Sequence, residues 1–352
     1  MVTIVDVARH AGVAPSTVSY VLTGKRSISA TTRERVQDSI RALGYHPHAG
    51  ARALASNRTN VIALVLPLRT GIHLPVVMQF VISVVTTARE HDQDVLLVTA
   101  DQGEEGLRRV VGSNMVDGLL VMDVEMNDAR VPTLRELAQP SVLIGFPADA
   151  SGLTCVDLDF ASAGGLCVDY LADLGHRDIG MLGAPRAVYE RDTGFAHRTM
   201  AGVTSAALRR GVAATTRSCE TSYDAVLRTV TELLREHPSL TGLIVHNEAA
   251  LGPLLEALRV INCRVPEDIS VVAMCPDEVA ELSFPPLRSV QIPAEDLGRQ
   301  AVELLMSKSQ GGPTAEATLL APTLTERGSA TRVDAAGVSP ASARRRSRTA
   351  AG

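Results

Sequence analysis

Residues 4–22 read Ile4-Val5-Asp6-Val7-Ala8-Arg9-His10-Ala11-Gly12-Val13-Ala14-Pro15-Ser16-Thr17-Val18-Ser19-Tyr20-Val21-Leu22. Ile4, Val7, Ala8 and Ala11 recur at helical spacing. Thr3 stands where an N-cap belongs, and Asp6 suits the positive end of the helix it opens. Gly12 closes this helix in a tight turn, and Pro15 fits the first position of the next. That second helix runs to about Leu22. Val18, Val21 and Leu22 are expected inward, and Ser16, Thr17, Ser19 and Tyr20 form a small, polar outer face. Thr23 to Arg26 form a loop. Ser29 caps a third helix with the stripe Val36, Ile40 and Leu43, stopped by Gly44. A helix whose outer face is small and polar fits the DNA major groove, its first residues at base edges and its hydroxyls near phosphates.

Charge follows the same division. Residues 1–58 carry a net +5 and residues 329–352 a net +4, leaving −14 for residues 59–328 of a chain whose total is −5. A basic head on an acidic body implies that only the head meets a polyanion.

Residues 47–59 read as a linker with a short helical stretch from Ala49 to Ala55. From Asn60 apolar runs alternate with amphipathic segments. Strands are expected at Val61–Leu66, Val95–Thr99, Gly118–Met122, Val142–Gly145, Ile179–Leu182, Leu243–Val245, Ile269–Ala273 and Ser289–Ile292. Helices between them include Val76–His91, Ala161–Leu174, Ala225–Glu236 and Ala294–Met306. The alternation predicts parallel sheets with helices on both faces, and the length predicts two lobes. The fold class is therefore α/β: an all-α helix-turn-helix head and a two-lobed core of doubly wound parallel sheets. The expected divisions are a head at 1–46, a hinge at 47–59, a core at 60–328 and a disordered basic tail at 329–352. Within the core, one lobe is placed at about 60–150 plus 278–308, the other at 151–277 plus 309–328. Helix Val76–His91 is apolar on more than one face, one for the sheet and a second suited to a dimer contact or to burial.

The five cysteines are scattered without a CxxC pair, so neither a zinc site nor a disulfide framework is expected, and a reducing cytoplasm is the natural setting. The first residues hold no apolar signal-peptide run, and no window approaches 18 uncharged apolar residues, so no membrane partner is expected. GxSxG, HExxH and P-loop patterns are absent. An enzymatic role, a metal and a cofactor are therefore not expected.

With these residues in view, the chain resembles the lactose-repressor (LacI/GalR) family from residue 3 to about 328. The motifs that carry the resemblance in the head and hinge are Asp6-Val7-Ala8, Ala11-Gly12-Val13, Thr17-Val18-Ser19, Ser29 to Arg33, Leu43-Gly44-Tyr45 with Pro47, and Ala53-Leu54-Ala55. In the core they are Leu174-Gly175-His176-Arg177, Asn247 to Gly252, Pro266 to Val272, Pro286-Leu287, Leu297-Gly298 and Glu326 to Ser329. The resemblance implies that Pro15, Ser16 and Tyr20 read bases and that Thr17, Ser19, Ser29 and Thr32 contact phosphates. Thr3, Lys25, His48 and Ala51 complete the expected DNA-facing set. It also implies that residues 48–55 form a hinge helix in the minor groove, where Leu54 wedges into a base step. Tyr20 stands where Arg is common and His48 where Asn is common, so the operator sequence does not carry over.

The core then resembles periplasmic sugar-binding proteins, with a small-molecule effector, expected to be a carbohydrate, bound beyond the carboxyl ends of the strands. By position Arg198 falls at a ligand-gripping Arg and Asn247 at its polar partner. Cys275 takes the place of an acid common in sugar-binding members, and Asp277 lies two residues on. Either Asp277 still reaches the cleft, or the effector is not an ordinary monosaccharide. Phe146 is a candidate apolar wall, with His73, Arg191 and Tyr223 as further cleft candidates. The function implied is a homodimeric repressor of operator DNA released or recruited by its effector. The alternatives are a global, catabolite-control regulator with a protein co-effector, and a plain transport binding protein.

Overall fold

The structure, a computed structural model, describes residues 2–23, 26–45, 58–69, 73–100 and 102–333. Lys25, His48, Ala51, Leu54 and the basic cluster Arg344–Arg346 lie outside the described residues.

The head is three helices, α1 (Ile4–Ala11), α2 (Pro15–Thr23) and α3 (Ala30–Leu43). Thr3 caps α1 in a reciprocal box: its hydroxyl accepts from the Asp6 amide, and the Asp6 carboxylate accepts from the Thr3 amide at 3.0 Å. The Thr3 hydroxyl, which also donates to the Asp6 carboxylate at 2.7 Å, the Thr3 amide and nearby Arg9 hold the Asp6 carboxyl below its ordinary range. Gly12 turns the chain at φ 63°, a left-handed conformation that costs a Cβ-bearing residue energy. Ser29 caps α3 through the Thr32 amide. Val7, Ala8, Ala11, Val18 and Val36 form the buried centre, with Ile4, Val13, Val21, Ile40 and Leu43 around it. Leu22, expected inward, is instead 38% exposed, because the small head core is already filled by Val18 and Val21.

Along the rest of the chain come β1 (Val61–Val65), α4 (Leu74–Glu90), β2 (Asp94–Val98), α5 (Gly103–Gly112), β3 (Gly118–Val121), α6 (Val131–Glu136), β4 (Ser141–Ile144) and β5 (Cys155–Leu158). Next are α7 (Phe160–Asp173), β6 (Asp178–Gly183), α8 (Arg186–Glu190), α9 (Gly194–Arg210), β7 (Ala213–Ser218), α10 (Tyr223–Glu236), β8 (Gly242–Val245) and α11 (Leu251–Val260). The last elements are β9 (Ser270–Cys275), α12 (Asp277–Leu282), β10 (Arg288–Gln291), α13 (Ala294–Ser309), β11 (Ala317–Leu320) and β12 (Leu324–Thr325).

Two six-stranded sheets result, ordered β11-β5-β4-β3-β1-β2 and β12-β10-β9-β8-β6-β7, and every pairing is parallel except β12 with β10. Central strands such as Gly118–Val121 and Gly242–Val245 are buried throughout, as expected for parallel strands covered on both faces. Helices α4 and α13 cover the first sheet, and α7 and α9 pack against the second. At the α7–α9 crossing the backbones touch, and a Cβ on Gly202 would collide with the Ala161 carbonyl.

Sheet membership corrects the expected lobe boundaries. β5 belongs to the first sheet, not the second lobe, and β10 belongs to the second sheet. Helix α13 packs on the first sheet, and β11 is that sheet's edge. The chain thus passes between lobes after β5, after β10 and between β11 and β12. β5, β7, β11 and β12 were not anticipated: β5 carries an acid, β7 is the polar edge run Ala-Ala-Thr-Thr-Arg-Ser, and β12 has only two residues. Nor does disorder begin at residue 329. Ser329 is fully buried, its hydroxyl donating to the Val271 carbonyl at 2.6 Å, and Val333 donates to the Leu174 carbonyl at 2.9 Å.

Candidate effector cleft and head surface

The carboxyl ends of both sheets face one another across a cleft of about 160 Å³. Its walls are built from residues just past the strand ends: Leu66 after β1, Met122 to Val124 after β3, Ala184 and Pro185 after β6, His246 to Glu248 after β8, and Ile292 after β10. Loops at this end of a parallel sheet are free to diverge while the strands hold them in place, so ligands bind here. Val76, Val77 and Phe80 of α4 close one side, and Val188, Arg191 and Phe195 another.

Three of the anticipated ligand residues line this cleft: His73, Arg191 and Asn247. His73 Nδ1 lies 3.5 Å from Glu248 Oε1. Asn247 is 4% exposed, and its amide donates to the Cys219 carbonyl at 2.7 Å.

The other four, Arg198, Phe146, Asp277 and Tyr223, do not line it. The Arg198 guanidinium donates to the carbonyl oxygens of Phe146 and Pro147, at 2.6 and 3.0 Å. The Phe146 ring packs into the first-lobe core with Val124, Leu153 and Cys155, so its carbonyl rather than its ring has the local role. Asp277 pairs with Arg327 at 2.9 Å, outside the cleft lining. Tyr223, at the start of α10, also lies outside the lining. The Cys275 thiol is buried, and burial pushes it up to about 12.

Other lining residues were not anticipated. Asp157 in β5 is 6% exposed and accepts from the Leu158 amide at 2.9 Å. Burial raises its carboxyl to about 7, against the pull of Arg198. It was missed because β5 was not read as a strand. His246, Phe160 and Phe195 form a ring cluster with centroids 5.6 to 5.8 Å apart. The apolar run Leu243–Val245 ending in His-Asn-Glu carried the signal, since a residue just past a parallel strand faces the cleft.

Contacts from the second lobe fasten one edge of the cleft. The Met126 amide donates to the Asp192 carbonyl at 2.7 Å, and the Gly194 amide to the Val124 carbonyl at 2.9 Å. Asn127 Nδ2 donates to Asp192 Oδ2 at 2.8 Å.

On the head, Pro15 and Ser16 are exposed and Thr17, Ser19 and Tyr20 half-buried, with the Arg26 guanidinium 5.8 Å from the centre of the Tyr20 ring. The Ser29 hydroxyl donates to Thr32 Oγ1 at 2.9 Å, so two of the four hydroxyls expected at phosphates also build the α3 cap. No helix among the described residues is long and apolar enough to cross a membrane, and no metal-binding cluster occurs among them.

Residues 3–48 match the family described as bacterial regulatory proteins, lacI family, and residues 168–330 match the periplasmic binding protein-like domain. The chain is 30% identical over 317 residues to the HTH-type transcriptional regulator CelR of Thermobifida fusca, covering 88% of this chain and 92% of that one. It is 29% identical over 342 residues to the ribose operon repressor of Escherichia coli K12, covering 94% and 100%. A lac repressor dimer bound to operator and the anti-inducer ONPF superposes with a TM-score of 0.81 at 25% identity, covering 94% of this chain and 99% of that one. A CelR–cellobiose complex gives 0.67 at 28%, covering 94% and 100%. Head, two-lobed core and relatedness along nearly the whole length agree: the chain is a member of the lacI family of bacterial regulatory proteins.

Proposed function

We propose that this protein is a cytoplasmic, non-enzymatic transcriptional repressor that binds operator DNA as a homodimer and whose operator affinity is set by a small molecule in the interlobe cleft. The observation that carries this is the pairing, in one chain, of a capped three-helix head with a cleft walled by both lobes. A ligand held by both lobes stabilises one lobe arrangement over another. That differential affinity is what an effector needs to shift DNA binding. Pro15, Ser16 and Tyr20 read base edges, while Thr3, Thr17, Ser19, Lys25, Ser29 and Thr32 lie along phosphates. His48, Ala51 and Leu54 act in the minor groove between the two half-sites. The cellobiose-bound relative and the ribose operon repressor support an effector of carbohydrate type.

Fluorescence anisotropy with labelled duplexes from the protein's own upstream region tests the reading. Affinity is expected to fall steeply with salt, as released counterions require. Leu54→Ala is expected to abolish specific binding while preserving the dimer. Salt-independent or absent binding at low ionic strength overturns the proposal.

A further inference from the structure

The chain enters the core through a clamp built on one carboxylate. Thr59 and Asn60 are the last residues before β1, and Asp117 is the last before β3. The Thr59 amide donates to Asp117 Oδ1 at 2.7 Å and the Asn60 amide to Asp117 Oδ2 at 2.8 Å. The Thr59 hydroxyl also donates to Oδ1, at 2.9 Å, and accepts from the Val61 amide at 3.2 Å. Asn60 turns the chain at φ 56°, a left-handed conformation that Asn adopts more readily than most residues. Its carbonyl accepts from the Asp94 amide at 2.8 Å. The turn is therefore pinned to the start of β3 on one side and to the start of β2 on the other. Hydrogen bonds to a carboxylate are stronger than those between neutral groups, and three converge on this one.

The strands that carry the clamp also reach the cleft. β1 and β3 pair in parallel from Ile62 with Gly118 to Val65 with Val121. The Asp117 amide donates to the Val61 carbonyl at 2.7 Å and the Met122 amide to the Val65 carbonyl at 2.9 Å, so the pairing is continuous from end to end. Every residue of the two strands except Val61 is buried, and close-packed interiors transmit displacement rather than absorb it. The clamp holds the amino ends of this pair. Just past the carboxyl ends, Leu66 and Met122 to Val124 line the cleft. Roughly 13 Å of strand separates the two.

We propose that Asp117 is a positioning residue for operator binding: its carboxylate fixes the direction in which the chain leaves β1 toward the head, so the head's placement follows the first lobe. The inference rests on the repressor reading above and deepens it, because it assigns the joint through which the core acts on the head. A dimer must set two heads at the spacing of two half-sites. A root held in place before binding lowers the ordering cost of doing so. With Asp117 removed, the turn loses its tie to β3, and movement of the first lobe is dissipated at Thr59 and Asn60 instead of reaching the head.

Two readouts on the full-length chain separate positioning from plain support. Arg58 is exposed and trypsin cuts after arginine, so cleavage of the Arg58–Thr59 bond, followed by mass spectrometry without DNA, reports how firmly the root is held. Asp117→Ala is expected to speed that cleavage about tenfold. Anisotropy with duplexes from the upstream region is expected to show operator affinity about tenfold weaker, while sedimentation and the circular dichroism of the core stay unchanged at the assay temperature. Asp117→Asn keeps one oxygen for Thr59 and is expected to recover part of both effects; should Asp117→Ala not fold, this variant decides. Unchanged cleavage, faster cleavage with undiminished operator affinity, or a loss of binding matched by an equal loss of core structure overturns the inference. A natural chain that binds no duplex fails the repressor reading instead, and the cleavage rates still show whether Asp117 holds the root.

Discussion

Arg198 Nη1 donates to the Phe146 carbonyl oxygen across 2.6 Å, so a side chain of the second lobe is fastened to the backbone of the first. With the neighbouring bond to Pro147, the guanidinium spends its donors on holding the lobes together. Burial in this place lowers its pKa somewhat, although Asp157 pulls the other way.

Replacing Arg198 by Met removes two charge-assisted hydrogen bonds and leaves two carbonyls without donors. Such bonds contribute about 2 kcal/mol each. Arg198→Met is expected to open the lobes, seen as a larger radius of gyration in small-angle scattering. It should also lower the melting temperature of the core. An unchanged scattering curve would show that the Met126–Asp192 and Gly194–Val124 contacts suffice.

Asp157→Asn separates the cost of a buried acid from its hydrogen bond, because the amide oxygen can still accept from Leu158. An acid raised to about 7 in the fold but ordinary when unfolded keeps its proton while the unfolded chain loses its own. Its contribution is therefore nil below about pH 4. It becomes progressively destabilising as pH rises toward 7 and levels off above, at up to about 4 kcal/mol. The variant should match the natural chain at pH 4 and melt at a higher temperature at pH 8. Equal melting temperatures at pH 8 would refute the burial account.

In the head, Thr3→Ala removes the α1 cap and its reciprocal bond with Asp6. The expected cost is about 1 kcal/mol, a large fraction for so small a core. Circular dichroism should show an earlier head transition, and operator affinity should fall while the core melt stays fixed. A shift in the core melt instead would place Thr3 in a different role.

The outer face of α4 carries Leu74, Met78, Ile82 and Val85, all at least 41% exposed and aligned at helical spacing. An exposed apolar stripe of this kind calls for a partner surface. Ile82→Lys is expected to shift sedimentation from dimer to monomer and, with it, to weaken operator binding. A variant that stays dimeric would move the interface elsewhere.

Much of this was legible in the residues. Buried parallel strands are unbroken apolar runs, so Gly118–Val121 and Leu243–Val245 announced themselves, and caps such as Thr3 and Ser29 marked the helix starts. The family resemblance pointed to Asn247, just past the strand Leu243–Val245. What sequence could not show was direction. Arg198 and Asp277 carry the right chemistry for a ligand, yet the fold turns one toward main-chain carbonyls and the other toward Arg327. Asp157 stayed hidden because a strand of four residues with a central acid looks like a loop until its neighbours β4 and β11 pair with it. Lobe membership escaped for a related reason: which sheet a short strand joins depends on partners distant along the chain.

Three passages of the chain between the lobes also constrain how such a protein can diversify. Neither sheet is encoded by one continuous stretch, since β11 completes the first only after β10 has been laid down in the second. Recombination that swaps β1–β5 or β6–β10 as a single block of gene would therefore deliver five strands of a six-stranded sheet and take the sixth, β11 or β12, from the other parent. New effector preferences must arise instead by replacing individual strand-end residues, while an exchange cut between the head and β1 leaves both sheets whole and lets DNA specificity be traded as a unit.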